Sequence, residues 1–419
     1  MSSTVSNKSK GALLVFLCSF VYFVSYFSRK DFAAVMAGML EANVIEKGTA
    51  GLIGTGLFVC YGVGQLISGY LGDKMKPRTL ILLGLSMTAL ANLLMPIIKT
   101  SSLMIPTWAF NGFAQAMLWP PIVRILSDNL NHEQFIKANL LVTSAAHIST
   151  ILLYLYVPVC LEFFSWKTVF FTASILAVLA VLVFAIVLSF IVLNEGTSSK
   201  KTVQNSAKDK DVPYFTLVKK AGIIEIFVAI VMMGILRDGI ESWLPTLYSE
   251  AFNRDASESI LVSVALPIFS IVSITVVTAL HKNKLFNNEV LGSAILFLGV
   301  VILALPIVFM INSDSAVIRI ICLILSALVC SCMHGVNFLL ISCLPGRFSA
   351  YGKAATTSGF CNAFVYLGAA VSMYGFALIS ELFDWRATII SWIIVSILGI
   401  ASTVISLKSY TKFIKSENN

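Results

Sequence analysis

Apolar runs of 18 or more residues recur along the whole chain, divided by short connectors that carry most of its charge. A run that long crosses a hydrocarbon core of about 30 Å as a helix, and in lipid only helices and closed barrels satisfy their own backbone. Barrel strands would read as short alternating segments, a pattern these runs do not show. Of the 419 residues 58% are apolar and 12% charged, about half the charged share of a soluble domain. A soluble multidomain protein is thereby excluded, as is a secreted one with a single cleavable apolar segment. The expected fold class is an all-α polytopic membrane protein.

Breaks in hydropathy predict twelve transmembrane helices, among them 11–40, 103–127, 138–162, 221–250, 258–280, 316–344 and 353–380. Counting Lys and Arg in alternate connectors gives nineteen against six, which puts both termini in the cytoplasm. The longest polar stretch, 194–220, is rich in Ser and Lys and lacks an apolar period. It reads as a cytoplasmic linker between two six-helix halves, 1–193 and 221–419. Repetition supports the division: Arg29 and Arg237 lie 208 residues apart, and Thr143-Ser144-Ala145 has a counterpart in Thr357-Ser358-Gly359. Two parallel repeats predict pseudo-twofold halves with a site between them near the midplane.

Of twenty-nine basic residues only Arg29, Lys30, Arg124 and Arg237 fall inside predicted spans. At the bilayer centre such a charge costs at least about 2.5–3.5 kcal/mol, so it is kept where a wet cavity or a partner receives it. Arg124 stands four residues before Asp128 at a span end, where a local ion pair explains it. Tyr22, Tyr26 and Arg29 occur at i, i+4 and i+7, and Lys30 is four past Tyr26, so the four share one stripe of span one while Asp31 points elsewhere. Hydroxyls and fixed positive charge on one face suit an anion, phosphate above all. A guanidinium stays protonated, and its planar fork matches two phosphate oxygens at once. The structural alternative has the tyrosines packing between helices and Arg29 paired with an acid.

In span seven Arg237 is followed at i+4 by Glu241, which either neutralises it or serves as a coupling acid, and Gly234 and Gly239 permit close approach or local unwinding. Two arginines at equivalent depth in two repeats suit a dianion. His147, in span five, either bonds between helices or donates to a phosphate oxygen. His334 is a weaker site candidate. The eight cysteines lie in apolar runs without paired metal-ligand spacing, and Cys330-Ser331-Cys332 is a C-x-C, so they read as small packing groups. No nucleophile with a base, no Walker sequence and no zinc spacing is present. The chain is thus expected to be neither an enzyme nor ATP-driven, and to hold no metal or cofactor. The net charge of +8 sits in the connectors, where topology explains it better than nucleic acid does.

The segment GYLGDKMKPR, Gly69 to Arg78, resembles the Gly-x-x-x-Asp-(Arg/Lys) loop signature of major facilitator proteins and marks Asp73 as a gating residue. Within that superfamily the chain is similar to the organophosphate:phosphate antiporters, which include glycerol-3-phosphate and hexose-6-phosphate transporters. In YFVSYFSRKDFAAVM, Arg29 and Lys30 match the family's Arg-Lys, and Tyr22 and Tyr26 its binding-site tyrosines. In NGFAQAMLWPPIVR, Gln115, Trp119, Pro120 and Pro121 match a Gln-x-x-x-Trp-Pro-Pro pattern. RDGIESWLPTLY matches the segment with the second phosphate-binding arginine, here Arg237; His147 and Tyr366 fall on a span-five histidine and a span-eleven tyrosine.

The resemblance implies exchange of an organic phosphate for inorganic phosphate by alternating access, with Arg29 and Arg237 binding the phosphate. Lys30, His147, Tyr22, Tyr26, Tyr366 and Trp119 then complete the substrate site, and Asp73 and Glu241 gate or couple it. Past Glu258 span eight, SILVSVALPIFSIVSITVVTAL, has no acid, and span eleven lacks the acid and lysine pair of some hexose-phosphate carriers. The organic moiety is therefore open, and exchange is simpler than proton coupling. The only Asn-x-Ser/Thr sequon, at Asn7, falls on the cytoplasmic side. With the short connectors, this points to a bacterial inner (plasma) membrane protein in contact with lipid, expected to be a monomer. Two other readings stand beside this one: a membrane sensor of sugar phosphates, which the same family contains, and a proton-coupled exporter dependent on Glu241.

Overall fold

Backbone groups in lipid have to be satisfied within their own segment, so each apolar run closes on itself as a helix. The computed structural model describes residues 7–190, 213–283, 286, 288–313, 315–351 and 353–417, and among these there is no strand. The first seven helices are α1 (Asn7–Glu41), α2 (Lys47–Lys74), α3 (Pro77–Leu94), α4 (Ser101–Gln115), α5 (Trp119–Asn129), α6 (His132–Phe163) and α7 (Trp166–Phe190). Then come α8 (Tyr214–Lys220), α9 (Ile223–Ala251), α10 (Ala256–Val262), α11 (Ala265–Lys282), α12 (Glu289–Met310) and α13 (Ala316–Asn337). A π-helical turn, Phe338–Cys343, and a 3-10 segment, Leu344–Tyr351, lead into α14 (Ala354–Leu382) and α15 (Trp385–Glu417).

Local signals set several of the ends. Asn131 begins α6 with a capping box, its Oδ1 accepting the Gln134 N–H at 2.9 Å while Gln134 Oε1 accepts the Asn131 N–H at 3.2 Å. Pro77 opens α3, where its missing N–H costs nothing. Gly222 turns α8 into α9 at φ +70°, a conformation that favours glycine.

Ten helices among the described residues are long and apolar enough to cross a membrane. The two other expected spans fall short for reasons that bear on function. The span expected at 103–127 is divided between α4 and α5, because Pro120 and Pro121 donate no N–H to the preceding turn. The other, α9, carries Arg237, Asp238 and Glu241 in its middle. Expected spans 258–280 and 316–344 also differ in detail. The former is interrupted between α10 and α11, and the latter leaves α-helical geometry after Asn337. Of the polar stretch expected as a linker, 194–212 lies outside the described residues. Its end is not a coil but the helix α8, which buries Leu217 and Val218 and stacks Tyr214 on Phe360.

Contacts divide the chain into two compact units, one of 7–49, 56–190 and Ala256–Pro267, the other of Ala50–Thr55, 213–255 and 268–417. In the first, α1 packs on α6 and α7, and α3 on α7 and α4. In the second, α9 packs on α14, α15 and α13, and α12 on α15 and α13. Large apolar side chains stay uncovered, for example Phe16 at 66%, Leu140 at 64% and Phe309 at 79% exposure. On a water-soluble protein such surface would be an interaction patch; on spanning helices it is the face offered to lipid.

Candidate functional site

In α1, from residue 21 to residue 37, only Tyr22, Phe23, Tyr26 and Arg29 are half-buried; every other residue is buried. The open face therefore follows the i, i+4, i+7 stripe read from the sequence. Lys30, the fourth residue read on that stripe, is buried. The side chains of the stripe hold one another. The Tyr22 ring meets Tyr26 edge-on at 5.0 Å and Trp119 at 4.8 Å. The Arg29 guanidinium carbon lies 4.2 Å from the centre of the Tyr26 ring and 5.2 Å from that of Tyr61. A cation over ring faces is stabilised by about 0.5–1 kcal/mol, more where water is excluded.

A buried polar lattice fixes α1 behind this face. Ser25 donates to Gln115 Oε1 at 2.5 Å, and Gln115 Nε2 donates to Thr88 Oγ1 at 3.3 Å. The Ser28 carbonyl accepts from both Asn92, at 3.2 Å, and Asn111, at 2.9 Å. Ser149 of α6 donates to the Phe23 carbonyl at 2.7 Å, which sets His147, half-buried two residues earlier, on a helix tied to α1 at the level of the tyrosines. Gln115 and Trp119 thus have visible work: the one anchors α1 and the other closes on Tyr22. Asp31 is wholly buried, its Oδ1 accepting the Phe32 N–H at 2.8 Å.

In the second unit α9 and α13 run against each other in opposite directions, and the polar residues of α9 meet those of α13 in two rungs. Arg237 Nη1 donates to Asn337 Oδ1 at 2.6 Å, and Arg237 Nη2 forms an ion pair with Asp238 Oδ2 at 2.6 Å. One turn along α9, Glu241 Oε1 lies 2.6 Å from His334 Nε2 and accepts from the Cys330 thiol at 3.9 Å. The carboxylate in direct contact with Arg237 is Asp238, while Glu241, held by His334 of α13, acts on the arginine electrostatically. Tyr366 of α14, half-buried, is close enough to act electrostatically on Arg237. This proximity follows from the backbones: a Cβ on Gly234 would lie 2.3 Å from the Val365 carbonyl oxygen. Of the two uses read for Gly234 and Gly239, close approach is the one observed, and α9 runs without unwinding.

Arg124 Nε stands 3.7 Å from Asp128 Oδ2, the local pair read from the spacing. Burial raises the Asp128 carboxyl above its ordinary pKa, while Arg124 pulls it back down. Asp73 falls within α2, which continues through Lys74, but its side chain lies outside those described. Three contributors escaped the sequence reading. Tyr61 comes from α2, Asn337 from α13, and Asp238 is next to Arg237, where adjacent helical residues do not ordinarily face each other. Cys330 and His334, at i and i+4, carried a signal that pairing among cysteines alone does not catch.

The sequence profile described as Major Facilitator Superfamily matches residues 18–373. The "Glycerol-3-phosphate transporter" of Bacillus subtilis is 25% identical over 414 residues, covering 93% of this chain and 90% of that one. The "Membrane sensor protein UhpC" of Salmonella typhimurium is 20% identical over 87% of this chain and 84% of its own. The "Probable hexose phosphate transport protein" of Chlamydia trachomatis is 25% identical over 38% of this chain, which spans only 35% of that relative's length. Among solved structures, a point mutant of the nucleoside transporter NupG superposes with a TM-score of 0.76 at 12% identity, over 95% of this chain and all of that one. At that identity the likeness speaks to the fold alone.

Proposed function

This chain belongs to the Major Facilitator Superfamily, and from that premise we propose that it is a carrier exchanging an organic phosphate, a glycerol or sugar phosphate, for inorganic phosphate by alternating access. The observation that carries the reading is the commitment of one arginine in each compact unit to a polar helix face inside the apolar chain: Arg29 among tyrosines, Arg237 against Asp238 and Asn337. Charges placed so expensively mark substrate paths, and a paired guanidinium anchor fits a phosphate dianion. Relatives named for glycerol-3-phosphate and hexose phosphate transport support that substrate class.

In this reading Arg29 and Arg237 bind the phosphate, with Tyr22, Tyr26, Tyr61, Trp119, Lys30, His147 and Tyr366 around it, and Asp73 and Glu241 act in gating. The halves 1–193 and 221–419 are joined by 194–220, and the carrier works as a monomer in a bacterial inner membrane with both termini in the cytoplasm. The pair at Arg237 fits reversible binding of an anion. When phosphate leaves, Asp238 is already within 2.6 Å to take its place, so an incoming anion displaces a carboxylate instead of solvating a bare cation. Counterflow of labelled phosphate in proteoliposomes, driven by glycerol-3-phosphate and by hexose-6-phosphates in turn, tests the proposal. Label is expected to accumulate against its gradient with at least one of them. The sensor reading rests on the 20% identical relative named as a membrane sensor. It gains if the purified protein binds the sugar phosphates and carries none across.

A further inference from the structure

The second rung between α9 and α13 lies one turn from Arg237 and brings together three different metal-ligating atoms. Glu241 Oε1, Cys330 Sγ and His334 Nε2 all fall within 4.8 Å of one another. Both α13 side chains aim at the same oxygen: His334 Nε2 stands 2.6 Å from Glu241 Oε1, and the Cys330 thiol donates to it at 3.9 Å. Cys330 and His334 share a face because they are four residues apart on α13, and α9 presents Glu241 to that face because the two helices pack together. Cys330 and His334 are buried, and the Glu241 side chain keeps 15% of its exposure.

We propose that Glu241, Cys330 and His334 form a binding site for a divalent transition-metal ion, with Zn2+ the ion it fits best. Bond lengths of about 2.0–2.3 Å to O, N and S put two ligands of one tetrahedral ion about 3.3–3.8 Å apart. The separations of 2.6 and 3.9 Å bracket that range, so one contact has to lengthen and the other to shorten slightly as an ion enters. Charge balance favours occupancy in a buried site. A Zn2+ ion with one carboxylate, one thiolate and one neutral imidazole carries no net charge. The thiol proton leaves to solvent as the sulfur ligates, and His334 presents Nε2 without a proton. The mixture of soft sulfur and borderline nitrogen selects against Mg2+ and Ca2+, which take oxygen ligands. Three protein ligands leave a fourth position open to a water or an anion oxygen. The assignment is independent of the phosphate-exchange reading, since it needs only the α9 and α13 side chains.

The test uses the purified full-length protein in detergent with Co2+ as the spectroscopic stand-in for Zn2+. One Co2+ per chain is expected, with a sulfur-to-cobalt charge-transfer band and tetrahedral d–d bands, both abolished by stoichiometric Zn2+. Cys330→Ser should remove the charge-transfer band, while Cys361→Ser, a buried cysteine on α14, should leave it. Glu241→Gln and His334→Gln should each weaken binding more than about tenfold, since even groups that only orient a metal's ligands cost that much. Because a variant can fail to fold, the wild type is decisive by itself. Absence of stoichiometric Zn2+ and Co2+ uptake, or a charge-transfer band that persists in a monodisperse Cys330→Ser protein, overturns the site.

Discussion

The two intramembrane arginines differ in the neighbours that surround them. Arg29 lies over the faces of Tyr26 and Tyr61, whereas Arg237 spends N–H donors on Asp238 and Asn337. Ring faces hold a cation without competing for an incoming anion; a carboxylate at 2.6 Å competes directly. The contrast teaches that a repeated arginine does not imply repeated chemistry. In the proposed carrier one arginine would meet the anion from beside aromatic rings, and the other would have to give up an adjacent carboxylate.

The largest effect that sharpens this contrast is expected from replacing each arginine by lysine. Both changes should cut transport, since the two-pronged contact is lost, but Arg237→Lys should lose more, about 10- to 100-fold, the worth of a charged hydrogen bond of about 1.5–3 kcal/mol. A lysine at 29 still meets the ring faces. Initial exchange rates of the two mutants in proteoliposomes, normalised to reconstituted protein, give the comparison; equal losses would erase the distinction drawn between the sites.

Next in size is Asp238→Asn, which removes the competitor. Half-saturation for phosphate should fall about tenfold, on the scale of one hydrogen bond to a charged group, and turnover should fall with it because release slows. The phosphate-induced rise in melting temperature should also exceed that of wild type, because Arg237 in the empty mutant has lost its adjacent carboxylate. Unchanged affinity with normal expression would show that Asp238 does not compete. Smaller again is the aromatic side: Tyr26→Leu should cost about 0.5–1 kcal/mol of anion affinity, a two- to fivefold rise in half-saturation, whereas Tyr26→Phe keeps the ring. If Phe fails as badly as Leu, the hydroxyl and not the ring face is what matters. The smallest change expected is Gln115→Leu, about 0.6 kcal/mol of stability by analogy with hydrogen bonds between membrane helices, read by thermal unfolding in detergent. A loss of anion affinity several times larger than the loss of stability would show that the lattice behind α1 positions Tyr22 and Arg29 more than it holds the fold.

Much of this was legible beforehand, for definite reasons. Lipid leaves a long apolar run little choice but to be a helix, and a helix turns i, i+4 and i+7 to one side, so the Tyr22, Tyr26, Arg29 face followed from spacing alone. The ladder on α9 did not. Spacing along α9 offers Glu241 as the partner of Arg237, yet a guanidinium is long enough to fold back onto its neighbour Asp238, and Glu241 is claimed by α13. Asn337 and His334 lie roughly a hundred residues away, and no periodicity within one helix announces which residues of another it will meet. Lys30 shows the same limit: four residues past Tyr26 places it near the stripe, and packing decides that it is buried. Pro120 and Pro121 were visible as a motif, while their mechanical result, a break that starts α5 with Trp119 against Tyr22, needed the neighbouring helix to be in view.

The π-helical turn at Phe338–Cys343 begins at the residue after Asn337. A π turn holds one residue more than the α-helix it interrupts, and at 3.6 residues per turn one residue is about 100° of rotation about the axis. Asn337, by gripping Arg237, thus stands at a register joint. Were the extra residue absorbed, either 338 to 351 would turn by about that angle, or α13 would turn instead and carry Asn337 off the guanidinium. The amide that meets Arg237 is the last one before the helix changes register.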